Sequence, residues 1–225
     1  MINTFLVITA VILLLALLFW ELVLCEGVHL GPKVVVWLYN LTAGKYEDIK
    51  QYSPGWERSL LGDAVVNAAD AVPDATLLDV GAGTGRAARA IFPRENSSLQ
   101  ITCVEPAGKM LARGRTKTAQ WPVRWVRAFA VPLPFPDNCF DFVLSLEMLE
   151  FTPDPAETIR ELVRVLRPHG WLILTNRVSA DSFFIVGHVI KREDFPAFLE
   201  ENGLISVDTY PWQMDYDLVW AQKPY

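Results

Sequence analysis

The residues with the most chemical content fall in one short run. In "LLDVGAGTGRAARAIF" (77–92) an apolar segment ends on Asp79, glycines follow at 81, 83 and 85 with Ala82 between the first two, and an Ala/Arg-rich helical run begins. A glycine-rich turn from strand to helix presents backbone N–H groups to a ligand. The spacing narrows which ligand. A phosphate-cradling P-loop ends in Gly-Lys-Ser/Thr, whereas Gly85 is followed by Arg86, Ala87 and Ala88, which excludes it. The dinucleotide fingerprint GxGxxG needs its third glycine where Arg86 stands; the pattern here is GxGxG. Asp79 would repel a pyrophosphate and suits a ligand with cationic or donor groups near the turn. Glu105, about 20 residues past Gly85, ends a second apolar run, where a carboxylate can accept from both hydroxyls of a ribose. S-adenosylmethionine has this polarity: an ammonium and a sulfonium at one end, a ribose at the other.

Such residues need a scaffold that delivers them to one edge. From Ala75 onward the chain alternates strand and helix patterns: strands "TLLDV", "QITCVEP", "VRWVRAF", "FDFVLSLEM" and "WLILTNRV", with helices "GRAARAIF" (stopped by Pro93), "AGKMLARGRTKT" and "DPAETIRELVRVLRPHG" between them. The last helix has Asp154 as N-cap, Pro155 at its first position and Glu157 placed for a capping box. A polar helix "KREDFPAFLEENG" and two closing strands, "LISVDTYPW" and "YDLVWAQKP", complete the chain, and residues 56–69 form a helix ahead of the first strand. The expected fold is α/β: a Rossmann-like, seven-stranded, mostly parallel sheet with helices on both faces and an antiparallel C-terminal strand pair. In such sheets the ligand sits at the carboxyl ends of the strands.

Residues 5–24, "FLVITAVILLLALLFWELVL", carry Glu21 as their one charge, and about 20 apolar residues span a hydrocarbon core as a helix. A cleaved signal peptide fits less well, because no Lys or Arg precedes the run and no small-x-small site follows it. The expected division is a transmembrane anchor at 1–25, a juxtamembrane, interfacial and cofactor-lid segment at 26–54, and the catalytic domain at 55–225. "KVVVWLYNL" within the second segment is too short to cross a bilayer and reads as a helix packed on the domain or resting on the membrane. Lys33, Lys45, Lys50 and Arg58 after the apolar run favour a single-pass protein with its domain on the cytoplasmic side. The three cysteines form no CxxC pair, which fits a reducing compartment. A net charge of −6 without Lys/Arg blocks argues against nucleic acid as a partner, and no His/Cys/Asp grouping has metal spacing, so no metal is expected.

Over residues 75–176 the motifs "LLDVGAGTG", "ITCVEP", "PLPFPDNCFDFVLS" and "RELVRVLRPHGWLILT", in this order, resemble the class I S-adenosylmethionine-dependent methyltransferases. Within that class they are similar to the small-molecule branch that includes the ubiquinone and menaquinone methyltransferases. The resemblance implies that Asp79, Gly81, Ala82, Gly83 and Gly85 surround the methionine part of the cofactor. It also implies that Glu105 binds the ribose with Pro106 beside it, and that Met110 packs near the adenine. Where that family often carries an acidic residue for the adenine amine, this chain has Phe129, so stacking and backbone groups at Phe129 and Ala130 would hold the base. The anchor and the segment from Tyr46 to Tyr52, "YEDIKQY", also resemble membrane-attached thiol-methyltransferase-like proteins.

Methyl transfer from a sulfonium needs positioning, and a base only when the nucleophile must lose a proton. Glu147 and Glu150 follow the fourth strand at the ligand end, Glu147 expected near cofactor and Glu150 near substrate. His188 follows the fifth strand and is the one histidine placed to act as a base; His169 precedes that strand, at the wrong end, and His29 is juxtamembrane. No Asn/Asp-Pro-Pro-Tyr tetrapeptide follows the fourth strand, against N-methylation of planar amines. The expected function is methylation of a small, lipophilic acceptor from the bilayer, on aromatic surroundings at Trp37, Phe183 and Phe184. The alternatives are a nicotinamide-dependent oxidoreductase and a catalytically silent cofactor-binding scaffold at the membrane.

Overall fold

The computed structural model describes residues 2–92 and 99–225. Pro93, the expected stop of the second helical run, lies outside the described residues. Helix α1 (Ile2–Phe19) opens the chain and continues through a widened π turn, Trp20–Leu24. Thr4–Leu24 together make a helix long and apolar enough to cross a membrane, roughly 30 Å at 1.5 Å per residue, with almost all of its side chains outside the protein interior. Then come α2 (Pro32–Thr42), α3 (Tyr46–Lys50), α4 (Pro54–Glu57) and, after a second π turn at Arg58–Gly62, α5 (Asp63–Ala69). The expected helix at 56–69 is therefore one helical path with a widened turn inside it.

The alternating part follows as β1 (Thr76–Val80), α6 (Arg86–Ile91), β2 (Gln100–Val104), α7 (Gly108–Lys117), β3 (Val123–Val126), β4 (Phe140–Ser145), α8 (Pro155–Val165) and β5 (Leu166–Arg177). Helix α9 (Phe195–Glu201) and strands β6 (Ile205–Pro211) and β7 (Tyr216–Gln222) finish it. The sheet order is β3-β2-β1-β4-β5-β7-β6; β1 to β5 run parallel and β7 is antiparallel to both neighbours. The order reverses between β1 and β4, the point where a parallel sheet leaves a crevice at its carboxyl edge.

Both faces of this sheet are covered, which is why its central strands are nearly all apolar. Leu77, Ile101, Phe142, Leu144 and Ile173 pack under α5 and α6 with Leu61, Val65 and Ile91. Their neighbours Leu78, Val80, Val143, Leu172 and Leu174 face the other way, toward Ile159, Leu162 and Val165 of α8 and Phe195 and Leu199 of α9. Asp154 caps α8 as its sequence suggests, Oδ1 accepting from the Glu157 N–H at 3.0 Å. Two boundaries differ from the sequence pattern. Strand β5 begins at Leu166, not after Gly170, because the 166–170 stretch joins the sheet edge: the His169 N–H donates to the Lys223 carbonyl at 2.9 Å and β4 and β5 shift register across it. Helix α9 begins four residues late, since Pro196 is tolerated only in a first turn.

The base of the apolar helix is fastened to the domain. Cys25, Val28 and Val35 bury against Phe151, after β4, and Ile185, after β5, with Trp20 and Tyr39 alongside. Glu21, Cys25 and His29 converge there with donor atoms within 4.8 Å of one another, a spacing of four along the chain that a search for paired cysteines passes over. Glu21 accepts from the His29 backbone N–H at 3.1 Å and contacts its ring at 2.8 Å, and the Cys25 thiol donates to the Phe184 carbonyl at 3.2 Å.

Gly62, the last residue of the π turn before α5, meets α6: a Cβ there would lie 2.1 Å from the Ala90 carbonyl oxygen, a backbone atom that cannot move aside. Gly62→Ala should lower the unfolding free energy by about 2–4 kcal/mol, as overpacking does in rigid contacts. Gly55→Ala, with nothing within 4 Å of the added carbon, should be neutral or slightly stabilising. Denaturant titrations of the two variants check the contrast.

Candidate functional site

A cavity of about 360 Å³ opens at the carboxyl edge of β1, β2 and β4. Its floor is the glycine turn (Gly81, Gly83) and the ends of β2 and β4 (Glu105, Leu146, Glu147); one wall is Pro106, Phe129 and Ala130; the other comes from α2 (Val35, Val36, Tyr39) with Met148 and Phe151. A narrower recess adjoins it, lined by Asp79, Ala82, Arg86, Tyr46 and Tyr52 along with Gly81, Gly83 and Glu147. Gly81 allows the turn to sit this close to the loop after β4, since a Cβ would come within 2.6 Å of Met148 at a φ of +75°.

Glu105 organises the turn. One carboxylate oxygen accepts from the Gly83 N–H at 2.9 Å and the other from the Ala107 N–H at 2.7 Å. A carboxylate has about four acceptor sites, so capacity remains toward the cavity it lines. Burial pushes its carboxyl up to about 7 against the pull of those two N–H groups. Burial, with the Glu105 charge adding to it, likewise raises Asp79 to about 7. Among the described residues Asp79 has no ion-pair partner, and the Cys103 thiol stands 3.9 Å away. With folded values above the ordinary carboxylate range, both groups hold protons more tightly folded than unfolded. Their effect on stability therefore turns unfavourable as pH rises from roughly 4 to 7. Two buried carboxylates at opposite ends of one glycine turn, each short of positive partners, fit a ligand bringing a cation to one and hydroxyls to the other.

The recess holds a charge network that no sequence motif announces. Arg86, in the first turn of α6, is buried and donates to both oxygens of Glu57 at 2.6 and 2.5 Å and to Glu147. The Tyr52 ring lies 3.8 Å from its guanidinium carbon. Lys50 donates to the other oxygen of Glu147 at 3.0 Å. Burial alone would raise the Glu147 carboxyl; Lys50 and Arg86 outweigh it and hold the group below its ordinary range. Helix α3 is clasped a second time through Glu47, which accepts from Thr84 at 2.9 Å, Arg89 at 2.8 Å and Lys117. The sequence signals for this network were Arg86 in place of the third glycine and the "YEDIKQY" spacing; neither indicates that the two meet.

Of the residues singled out from the sequence, Gly81, Gly83, Glu105, Pro106, Phe129, Ala130 and Glu147 line the cavity, and Asp79 and Ala82 line the recess. Four lie elsewhere. Gly85 turns its back on the cavity and packs on Thr118 and Trp125, where a Cβ would approach to 2.9 Å. Met110 is fully buried with Ala43 and Ala107, supporting the turn from behind. Glu150 sits on a short turn after β4 that carries it behind the cavity wall; it accepts from the Tyr216 hydroxyl at 2.5 Å and lies 3.8 Å from Arg177. His188 stands beside it in a separate small void, its Nδ1 2.8 Å from the Thr152 carbonyl. Neither Glu150 nor His188 reaches the cavity, so the pair expected at the acceptor does not face it. Trp37, Phe183 and Phe184 are also absent from its walls.

The sheet order, the crevice at its reversal and the carboxylate-flanked glycine turn define the class I methyltransferase fold. The comparisons agree. Residues 78–174 match the methyltransferase-domain family Methyltransf_11, and this stretch is a methyltransferase domain of the S-adenosylmethionine-dependent kind. The chain is 30% identical over 139 residues to a 2-methyl-6-phytyl-1,4-hydroquinone methyltransferase of Arabidopsis thaliana, covering 61% of this chain and 40% of that protein. It is 31% identical over 109 residues to a phosphatidylethanolamine N-methyltransferase of Cereibacter sphaeroides, 47% of this chain and 52% of that one. The match thus spans about half of those relatives or less. The fold aligns with a SAM-dependent methyltransferase from Aquifex aeolicus at a TM-score of 0.59 and 17% identity, covering 76% of this chain and 98% of the other.

Removing Arg86 would strand Glu57 as an uncompensated buried charge and leave Glu147 with Lys50 alone. Arg86→Met should cost about 3–5 kcal/mol of stability, measured by chemical denaturation, and Arg86→Lys should recover only part of it because an ammonium cannot bond both Glu57 oxygens side by side.

Proposed function

We propose that this chain is a membrane-anchored methyltransferase that transfers the methyl group of S-adenosylmethionine to an oxygen, sulfur or carbon nucleophile on a small apolar acceptor. The observation that carries this reading is the shared wall: α2, which follows the apolar helix directly, forms the side of the cavity opposite the cofactor residues. When bound, S-adenosylmethionine supplies an electrophilic methyl on a sulfonium. Asp79, ionised, would hold its ammonium from the recess, and Glu105 would take the ribose hydroxyls while keeping Gly83 and Ala107 in place. Phe129 and Ala130 would cover the base.

Val35, Val36, Met148 and Phe151 give the acceptor side an apolar lining that excludes water and favours an apolar molecule. Glu147 is a poor base for the acceptor, since Lys50 and Arg86 hold its carboxyl below the ordinary range and so weaken it as a proton acceptor. Proximity and orientation in a dry pocket are then the main sources of rate. The names of the two curated relatives, a phytyl hydroquinone and a phosphatidylethanolamine methyltransferase, fit an acceptor with an apolar tail. The Lys/Arg excess after the apolar helix supports a domain on the cytoplasmic side.

Titration calorimetry of the full chain in detergent micelles tests the reading. S-adenosylmethionine should bind, more tightly at pH 8 than at pH 6, with proton release, because the ligand needs Asp79 ionised and burial keeps it protonated up to about 7. Asp79→Asn should weaken binding and flatten its dependence on pH. Absence of binding at millimolar cofactor would overturn the proposal.

A further inference from the structure

The apolar side chains missing from the cavity are gathered on the outside, around the root of the apolar helix. On α2, Lys33, Trp37 and Leu41 recur at helical spacing on one exposed stripe, with Leu30 just before it. Trp37 is 55% exposed although its neighbours Val35 and Tyr39 are packed inward. On the other side of the root, the turn after β5 leaves Phe183 81% and Val186 67% exposed. Scattered exposed apolar residues need no explanation, but a contiguous set of large ones marks a binding surface.

The position of this set is fixed by contacts with the end of the apolar helix. Phe184 and Val186 are tied to the helix end through Cys25 and His29: the Cys25 thiol donates to the Phe184 carbonyl at 3.2 Å and the His29 ring reaches the Val186 carbonyl at 3.3 Å. Val34 and Leu38 lean on Gly27 from the other side. Both exposed sets are therefore tied to Cys25–His29, the stretch that follows Leu24, where Thr4–Leu24 ends. A helix that spans the hydrocarbon brings everything fastened to its end into the headgroup layer, where Trp, Phe and Leu are favourable. Exposed cations follow in that layer: Lys33 at the cavity rim, Lys45 beyond α2, and Lys109 and Arg113 on α7. Two of these are tied back to the α2 segment, the Lys109 N–H bonding Asn40 at 2.8 Å and Arg113 the Gly44 carbonyl at 3.2 Å. Cations at this depth complement phosphate headgroups.

From this arrangement we infer that Leu30, Trp37, Leu41, Phe183 and Val186 form a collar that beds the domain into the bilayer surface, so that the α2 side of the cavity takes its acceptor from the lipid phase. The inference rests on reading Thr4–Leu24 as a membrane span. It assigns the membrane as partner of a surface, beyond a tether that would leave the domain free in water.

The test uses the full chain in phosphatidylcholine vesicles whose acyl chains are brominated, which quench tryptophans lying in the hydrocarbon. Comparing the protein with Trp20→Phe isolates the helix signal, and comparing it with Trp37→Phe isolates the collar signal. Phe183→Trp, in the Trp37→Phe background, reports the second side. The expected result is a loss of intensity and a shift to shorter wavelength in brominated lipid at all three positions. Quenching at Trp20 with none at Trp37 and Phe183→Trp would overturn the collar while leaving the anchor intact. Short-wavelength but unquenched emission at Trp37, with self-association, would put a second copy of the chain on this face and overturn it equally. No quenching at Trp20 would remove the anchor reading and the collar with it, while leaving cofactor binding to be judged by calorimetry.

Discussion

A guanidinium taken out of water keeps its charge, and the structure around it must answer that charge. Arg86 is buried at the start of α6, one residue past the glycine turn, and its answers come from four directions: Glu57 from the helix before β1, Glu147 from the loop after β4, and the Tyr52 and Trp212 rings from the segment before the domain and the turn before β7. Elements distant in the chain are thereby set at fixed distances from the turn. The second charge on Lys50 balances the second acid, so the cluster closes with two cations against two carboxylates. Glu105 does the same work on the far side of the turn with N–H groups alone. Between these two anchorages the turn is held, and Asp79 is left facing a recess with no ion-pair partner among the described residues.

The sheet was readable because its burial is two-sided. Strands covered on both faces lose the alternation of a half-exposed strand and become short apolar runs, and "TLLDV", "QITCV" and "FDFVLS" are such runs. Each is bounded by the turn residues that stop it. The antiparallel end was legible for another reason, since the chain ceases to supply a helix between its last two strands. What local pattern could not supply were edges set by long-range pairing, as where the 166–170 stretch is drawn into β5 by Lys223.

The cofactor side of the site was legible for the same physical reason as the sheet: it is made of strand ends, and a strand's end is a position in sequence. Asp79, Gly81, Gly83, Glu105 and Glu147 all stand there. The acceptor side is made by packing, and sequence order says little about which side chains a loop turns inward. Glu150 is three residues from Glu147 yet faces Tyr216 behind the wall, because one turn of 3₁₀ geometry intervenes. His188 reads as a base by position and is spent on the Thr152 carbonyl. Conversely Val35 and Tyr39 carry no chemical signal at all and line the cavity through the fold of α2. Trp37, two residues from each, points away by helical geometry.

Helix α3 is only five residues long, and it is closed over the recess by contacts of two kinds. Glu47 meets Arg89 and Lys117 in a half-open setting, where dissolved ions screen attraction within a few ångströms of the surface. Lys50 meets Glu147 in a more enclosed setting, with Glu147 buried, and there dissolved ions screen less. The two ends of one short helix are thus held by fasteners with different sensitivities to the medium. Rising ionic strength therefore weakens the Glu47 end of the clasp more than the Lys50 end, so the two ends of α3 answer the medium unequally.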